Sequence, residues 1–361
     1  MEIVTRRHDR QLSFRSLKRI LFQENLNRKR NISESDLEEA VQNELRTSNS
    51  LLGYRQMTEI LSVKYKINVS RESVRKTLLR VDPDGVAVRQ RRLIKRRVYI
   101  TDGPGDIYHI DGNDKLKRWG FAIHGAVDGF SRKLMWLVVS TTNNDPLVIG
   151  NLFLSCVKRH RVAPITLRMD CGNENIYCED LQVFFTGSER SYMYAKSTRN
   201  QRIESFWARL KKFKTSWWID FFQHMTKSGL YHPDVMAHQE LLLFCFLPVI
   251  QLELNDFFTT WNSRNVRKSA SGPGGKPDML FQFPTTTGHG HQGKVVSQRD
   301  IEIAEEILKI DEPPRYKNRD FHELFICYLH IYGHSVPMDA ESGLDLYTVF
   351  LSYLDRDQLI Q

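Results

Sequence analysis

The chain has 361 residues, of which 41% are hydrophobic and 26% charged, and this balance excludes a disordered tail. The formal net charge is +9, but residues 1–100 hold 23 Lys or Arg against 12 Asp or Glu, whereas the remaining residues hold 29 against 31. The basic excess, and with it the expected affinity for polyanions, belongs to the N-terminal segment alone.

The first 88 residues predict a helical domain that contains a helix-turn-helix. Apolar residues with helical spacing occupy positions 57–65 and begin a second stripe at positions 74–78. Between the two, KINVS supplies apolar turn residues followed by Ser70, a residue typical of helix N-caps. We therefore expect two short helices that meet at a tight turn.

The second of these helices carries the cations expected of a DNA recognition helix. On the face away from the apolar stripe they would reach base edges and phosphates in a major groove. Any three-helix domain also has a solvated basic face, and this plainer interpretation stays open. The residues in question are Arg71, Arg75, Lys76 and Arg80.

A basic linker is predicted at residues 89–103. Six of the nine residues at 89–97 are cations, and such a run neutralises phosphates in a salt-dependent way. It is equally compatible with a solvated linker or a nuclear address, and we expect a nuclear location from this run and from DNA as the partner. The six cations are Arg89, Arg91, Arg92, Lys95, Arg96 and Arg97.

From residue 104 the pattern changes to strands. Three segments rich in β-branched and aromatic residues, DIYHIDGNDKL, WGFAIHGAVDGF and RKLMWLVVSTT, predict an antiparallel meander with a turn at Asp128-Gly129. A helix then begins at Asp145-Pro146, and a short strand, a short helix, a strand and the long helix in NQRIESFWARLKKFKTSWW follow. The order βββαβαβα predicts an α/β fold of the RNase H-like class over residues 104–265.

Residues 266–361 are expected to form loops and a helical C-terminal region. Flexible segments are predicted at 269–277 and 285–293, and helices at 301–308 and 321–332. The apolar segment 234–263 should be helical with a break near Pro248, a core helix and not a membrane span. We find no chemistry to assign to this region.

The cysteine content and the N-terminus favour an intracellular protein without a membrane partner. Five scattered cysteines, an odd number, do not resemble a disulfide framework. The opening MEIVTRRHDRQLSF lacks the apolar segment of a secretory signal.

Three acids stand where an RNase H-like fold would bring them together. Asp111 lies within the first strand, Asp170 ends the fourth, and Glu204 sits one turn into the long helix. Carboxylates are the ligands that Mg²⁺ prefers, and two such ions stabilise the attacking and leaving oxygens in phosphodiester chemistry. On the helix, Trp207 and Lys211 share a face with Glu204 and would be presented to DNA with it.

Plainer roles exist for each acid. A lone Asp at a strand end is usually a turn residue, and a Glu near a helix start complements the helix dipole. Asp128 is a weaker alternative ligand, because an Asp before Gly usually shapes a turn. The three acids in this order and background favour a metal site at Asp111, Asp170 and Glu204.

These motifs resemble the integrase core of retroviral and retrotransposon integrases and of related transposases, including transposon-derived eukaryotic proteins. That family has about 35 residues between its second Asp and its Glu, and here 33 lie between Asp170 and Glu204. VDGFSRKLMWLVV is similar to its Asp-x-x-Ser-Arg hairpin and NQRIESFWARLK to its Asn-x-x-x-Glu helix. The resemblance implies Mg²⁺ or Mn²⁺ dependence, DNA strand transfer and a homo-oligomer on DNA ends. The family's N-terminal zinc domain has no counterpart, because residues 1–100 contain His8 and no Cys.

Two other functions stay open beside a DNA integrase or transposase. One is a host-recruited protein that keeps the fold and the basic N-terminal domain without catalysis. The other is a nuclease that cuts RNA in a hybrid, which a helix-turn-helix disfavours because A-form hybrids present their major groove poorly.

Overall fold

The computed structural model describes residues 13–23, 32–88, 101–194, 200–269, 272–308 and 313–359. The chain divides into two compact units, residues 1–96 and 97–361. The six cations predicted at 89–97 to bind nucleic acid lie outside the described residues, so their role stays a prediction.

The N-terminal unit is helical. Its helices are α1 (Phe14–Gln23), α2 (Glu34–Leu45), α3 (Tyr54–Val63), α4 (Arg71–Val81) and α5 (Pro83–Val88). The two predicted apolar stripes pack together with α2 in one core, formed by Leu37, Ala40, Val41, Met57, Leu61, Val74 and Leu78. Ser70 caps α4 as expected, because its hydroxyl accepts a hydrogen bond from the Ser73 N–H at 3.0 Å.

The second unit is built on a five-stranded mixed sheet. Its strands are β1 (Ile107–Asn113), β2 (Ala122–Asp128), β3 (Leu134–Ser140), β5 (Thr166–Met169) and β6 (Tyr192–Tyr194), while β4 (Val162–Ala163) pairs with β7 (Lys294–Val295) in a separate ladder. The order is β3-β2-β1-β5-β6, with β1, β2 and β3 antiparallel and β1, β5 and β6 parallel. The predicted meander and the strands that follow it are confirmed.

Helices cover both faces of this sheet. They are α6 (Pro146–His160), α7 (Ile176–Thr186), α8 (Gln201–Leu210), α9 (Ser216–Lys227), α10 (Met236–Ser263), α11 (Pro277–Gln282), α12 (Gln298–Leu308), α13 (Arg319–Tyr332) and α14 (Ala340–Arg356). A π-helical turn, Lys211–Thr215, joins α8 to α9, so the predicted long helix is present with one widened turn. On one face Tyr108 and Ile110 of β1 pack with Phe153 and Val157 of α6.

Helix α10 runs unbroken through Pro248, and the predicted break there is wrong. Proline lacks an N–H, so the Phe244 carbonyl loses its helical hydrogen bond. The helix persists because its apolar side chains are buried along much of its length against β3, α13 and α14. By length and composition this helix could cross a membrane, but Leu241, Cys245 and Phe246 are completely buried, as expected of a core helix.

Helix α10 also closes the outer edge of β3. The Asn262 side chain accepts from the Leu134 N–H at 2.8 Å and donates to the Leu134 carbonyl at 3.0 Å. Gln251 does the same further along the strand, since it accepts from the Val139 N–H and donates to the Leu137 carbonyl. Two side-chain amides thus occupy main-chain groups that a further strand would otherwise use.

The segments expected to be flexible loops are more ordered than predicted. Within the described part of 266–275, Val266 pairs with Gly275 and Ser269 with Gly272, and the Arg132 guanidinium donates to the Pro273 carbonyl at 3.1 Å. In the segment 285–293, His291 packs edge-on against Phe281. The predicted helices at 301–308 and 321–332 are confirmed within α12 and α13.

Candidate active site

Strand β1 presents its side chains alternately to two environments. Tyr108 and Ile110 face the apolar core under α6, while His109 and Asp111 face α8. Burial lowers the pKa of the His109 imidazole to about 3, so the ring is neutral at physiological pH. Asp111 is half-buried at the carboxyl end of the strand.

Asn200 joins β1 to the helix that carries Glu204. Its side-chain carbonyl lies 2.6 Å from Nδ1 of His109, and its amide donates to the Ile110 carbonyl at 3.2 Å. Since the amide group faces Ile110, its oxygen faces the imidazole and His109 is the donor there. The Asn200 backbone carbonyl accepts from the Glu204 N–H at 3.1 Å, so the first turn of α8 is tied to the strand of Asp111.

The parallel pairing of β1 with β5 brings Asp170 beside Asp111. Tyr108 is opposite Leu167 and His109 opposite Arg168, and the same register continued by two residues sets Asp111 opposite Asp170. Carboxyl ends of parallel strands meet at one edge of a sheet, where ligand sites concentrate. Strand pairing thus brings Asp111 and Asp170 to this edge.

The electrostatics show that the three carboxylates interact. The pKa of Asp111 is raised to about 7, chiefly by burial and further by the charges of Asp170 and Glu204. Burial and the charge of Asp170 raise the pKa of Glu204, although Lys115 acts in the opposite direction. Burial and the charge of Glu174 raise the pKa of Asp170. Negative charge therefore accumulates here without full compensation.

Trp207 contacts the sheet from α8. Its side chain is only 6% exposed, its indole N–H donates to Oδ2 of Asp111 at 2.8 Å, and the helix packs on β1 and β2. Its contact with DNA stays a prediction. Lys211 is exposed, and its contact with DNA stays a prediction.

The acids fit a divalent cation by donor chemistry and charge. Among the described residues, none of the ion pairs involves Asp111, Asp170 or Glu204. Oδ1 of Asp170 is buried and has no hydrogen-bond partner within the described part of the chain, and a carboxylate oxygen in this state is suited to coordinate a cation. The side chains are nevertheless not gathered round one point: no group of three or more His, Cys, Asp or Glu in the described ranges is arranged to hold a metal ion.

Asp128, the alternative ligand, has a structural role. It is completely buried, and it accepts hydrogen bonds from the Gly105 N–H at 2.8 Å, the Ser131 N–H at 2.7 Å and the Ser131 hydroxyl at 2.6 Å. These bonds shape the turn between β2 and β3, as the plainer interpretation predicted.

The cations of α4 are exposed, and most are paired within their own unit. Arg71 lies 3.8 Å from Glu59, Arg75 binds Glu72 at 2.7 Å, and the Arg80 guanidinium contacts Glu38 at 2.9 Å and Glu34 at 3.6 Å. Lys76 is exposed on the same helix. Whether this helix pair binds DNA stays a prediction.

Comparison with known protein families identifies the part of the chain that contains the three acids. The family described as the integrase core domain matches residues 98–281, just over half of the chain. This chain belongs to the integrase core domain family. The matched range includes β1, β5 and α8, and so all three acids of the candidate site. No curated protein sequence matches the chain.

Three residues of the integrase core domain contribute to the candidate site and were not predicted from the sequence. Asn200 stands in the motif NQRIESF. Its side chain makes two buried hydrogen bonds to β1, which explain why an amide residue precedes the helix. Lys115 follows β1, and its charge lowers the pKa of Glu204 because the folded loop brings the two residues close together. Glu174 is partly buried, and its charge raises the pKa of Asp170.

Proposed function

We propose that this chain is a DDE-type polynucleotidyl transferase of the integrase and transposase class, with an RNase H-like core that cuts DNA and joins DNA ends. Asp111, Asp170 and Glu204 would hold two Mg²⁺ or Mn²⁺ ions. The observation that carries the proposal is the pairing of β1 with β5, together with the Asn200 bonds that tie the helix of Glu204 to β1, inside an integrase core domain. Integrase domains act on DNA, and DNA is the proposed partner.

Each of these residues would have its own role in the proposed reaction. Bound divalent ions would stabilise charge on the attacking and leaving oxygens of the phosphodiester. Asp111 lies in β1 and Asp170 directly follows β5, while Glu204 is exposed on α8 and would complete the site from the helix. Lys115 and Lys211 are exposed cations suited to DNA phosphates: the charge of Lys115 lowers the pKa of Glu204, and Lys211 directly follows α8. The nucleophile would be water or a DNA 3′-hydroxyl.

A calorimetric titration of Mg²⁺ and Mn²⁺ in the presence of a short duplex tests the site. We expect the wild type to bind metal and the Asp111→Asn, Asp170→Asn double variant to lose that binding, because an amide nitrogen cannot coordinate the cation. Asp180→Asn with Asp220→Asn is the matched control, since it removes the same charge from two exposed positions. Equal binding by all three proteins would contradict the proposal.

A second candidate, a DNA-binding protein that no longer performs catalysis, has one observation in its favour. The described acids are not gathered round a metal position. In the same titration this candidate predicts no metal binding by the wild type while duplex binding is kept.

We further propose that the basic run and α4 bind DNA, that several chains assemble on a DNA end, and that the run directs the protein to the nucleus. Replacing the six cations at 89–97 by Gln should weaken duplex binding. It should also reduce the slope of log affinity against log salt concentration by about 0.9 for each phosphate that the protein no longer neutralises.

A fluorescent fusion of this variant should lose its nuclear enrichment. Sedimentation of the wild-type complex should show more than one chain per DNA end.

Arg319→Gln serves as the control for that variant, because its exposed guanidinium pairs with Glu323 at 2.7 Å and no DNA contact is assigned to its region. We expect it to bind duplex DNA nearly as well as the wild type. An unchanged salt slope after neutralising residues 89–97, or a fusion that stays nuclear, would remove the corresponding part of the proposal.

A further inference from the structure

We propose that Trp207 is a positioning residue for the Asp111 carboxylate, and that Gly125 is required because it provides the space for the indole ring. The inference rests on the proposed function, since the carboxylate it concerns is a proposed metal ligand. It assigns to Trp207 a role inside the site in place of a contact with DNA.

The hydrogen bond fixes one side of the carboxylate. The indole Nε1–H is a donor without acceptor capacity, and it lies 2.8 Å from Oδ2 of Asp111. A bond from a buried ring to a charged oxygen is strong and directional, so it stops rotation of the carboxylate about its last side-chain bond. The carboxylate is thereby held in one orientation, and the charge of Asp170 contributes to raising its pKa.

Gly125 makes this position of the ring possible. It lies directly opposite Asp111 in the β1–β2 ladder. A Cβ atom at position 125 would come within 2.9 Å of Cη2 of Trp207 and 3.4 Å of the Trp136 carbonyl oxygen. The first distance is shorter than real contacts allow, so any other residue would displace the indole. Two separate positions of the sequence, 125 and 207, thus serve one hydrogen bond.

Trp261 offers a close internal comparison. It is also 6% exposed, it packs against the same Phe206 ring at a centroid distance of 4.9 Å, and its indole N–H also makes a 2.8 Å bond. Its acceptor, however, is the backbone carbonyl of Arg132. The two tryptophans therefore share a packing role, and they differ in that only Trp207 holds a carboxylate of the candidate site.

Mn²⁺ affinity, measured by calorimetry on the full chain, separates the two roles. We expect Trp207→Phe to lower the affinity about 10- to 100-fold, the usual effect of removing a partner that orients a ligand. Gly125→Ala should also lower the Mn²⁺ affinity, although this variant keeps the indole N–H. Trp261→Phe should leave the affinity unchanged, although it also removes a buried hydrogen bond. Urea unfolding of all three variants identifies any that have lost their fold.

The outcomes distinguish this inference from the proposed function. If Trp207→Phe and Trp261→Phe both bind Mn²⁺ like the wild type, or if Trp207→Phe binds it more tightly, positioning by Trp207 is overturned while the metal site stands. If the wild type binds no Mn²⁺, the proposed function fails and the inference fails with it. A loss confined to Trp207→Phe and Gly125→Ala supports the inference, and Gly125→Ala carries the test if the larger substitution unfolds.

Discussion

Asp170→Asn should reduce DNA strand transfer by roughly a thousandfold or more, which corresponds to a loss of about 4 kcal/mol of transition-state stabilisation. The substitution keeps the shape of the side chain, removes its negative charge and replaces one carboxylate oxygen by an NH₂ group, which cannot coordinate a cation. Oδ1 of Asp170 is the buried oxygen without a hydrogen-bond partner in the described residues, so no internal contact depends on it. The fold and the duplex affinity should therefore be kept.

The measurement is the joining of a labelled donor duplex to a target duplex in Mg²⁺ and in Mn²⁺. Asp180→Asn, an exposed change of the same kind on α7, should behave like the wild type. An RNA–DNA hybrid offered in parallel separates strand transfer from hybrid cleavage. Undiminished joining by Asp170→Asn would rule out the proposed chemistry.

Asp128→Asn should cost about 3 kcal/mol of folding free energy and leave metal affinity unchanged. The carboxylate accepts from two backbone N–H groups and one hydroxyl at a completely buried position. An Asn side chain has one acceptor oxygen, so its NH₂ group would face a donor of either Gly105 or Ser131. A buried donor without a partner costs about 1–3 kcal/mol, and bonds to a charged acceptor are at the upper end.

Urea unfolding at neutral pH measures this loss. Asp145→Asn is the matched control, because Asp145 caps α6 through a bond from the Leu147 N–H and Asn caps helices equally well. We expect that control to change stability by less than about 0.5 kcal/mol. A stable Asp128→Asn variant with weakened Mn²⁺ binding would instead return Asp128 to the set of candidate ligands.

The sheet and its order of elements could be predicted because the strands are marked by residue type and bounded by turn signals. The Asp128-Gly129 turn and the Asp145-Pro146 helix start are local features, and the structure has both. The path of α10 could not be predicted in the same way. A proline in a helix is unfavourable by itself, and only the packing of distant segments against α10 makes the unbroken helix stable.

The candidate site was predictable in its acids and not in their surroundings. Asp111, Asp170 and Glu204 follow from strand ends and motif spacing. The bond from Trp207 to Asp111 could not be predicted, because a shared helical face spans a wide arc and a rotation of roughly 60° along it separates a solvent-facing from a sheet-facing side chain. The position of Gly125 opposite Asp111 depends on strand register, which the sequence of either strand alone does not state.

The N-terminal unit shows a similar limit. Four cations at positions 71–80 predict a basic helix face, and the structure exposes them. The pairing of Arg71 with Glu59 and of Arg80 with Glu38 depends on which helices are neighbours, whereas Arg75 pairs with Glu72 on its own helix. Exposed ion pairs contribute little stability and exchange readily, so these cations stay usable for phosphates at a modest competitive cost.

The amide side chains of Gln251 and Asn262 have a consequence for how copies of this protein meet. An open sheet edge is a template on which another chain can add a strand, and repeated addition leads to aggregation. On β3 the Leu134 and Val139 N–H groups are already occupied by α10. Growth of the sheet by accretion of further β-strands is therefore blocked on that side. Helix α10 therefore covers this edge and ends the sheet there.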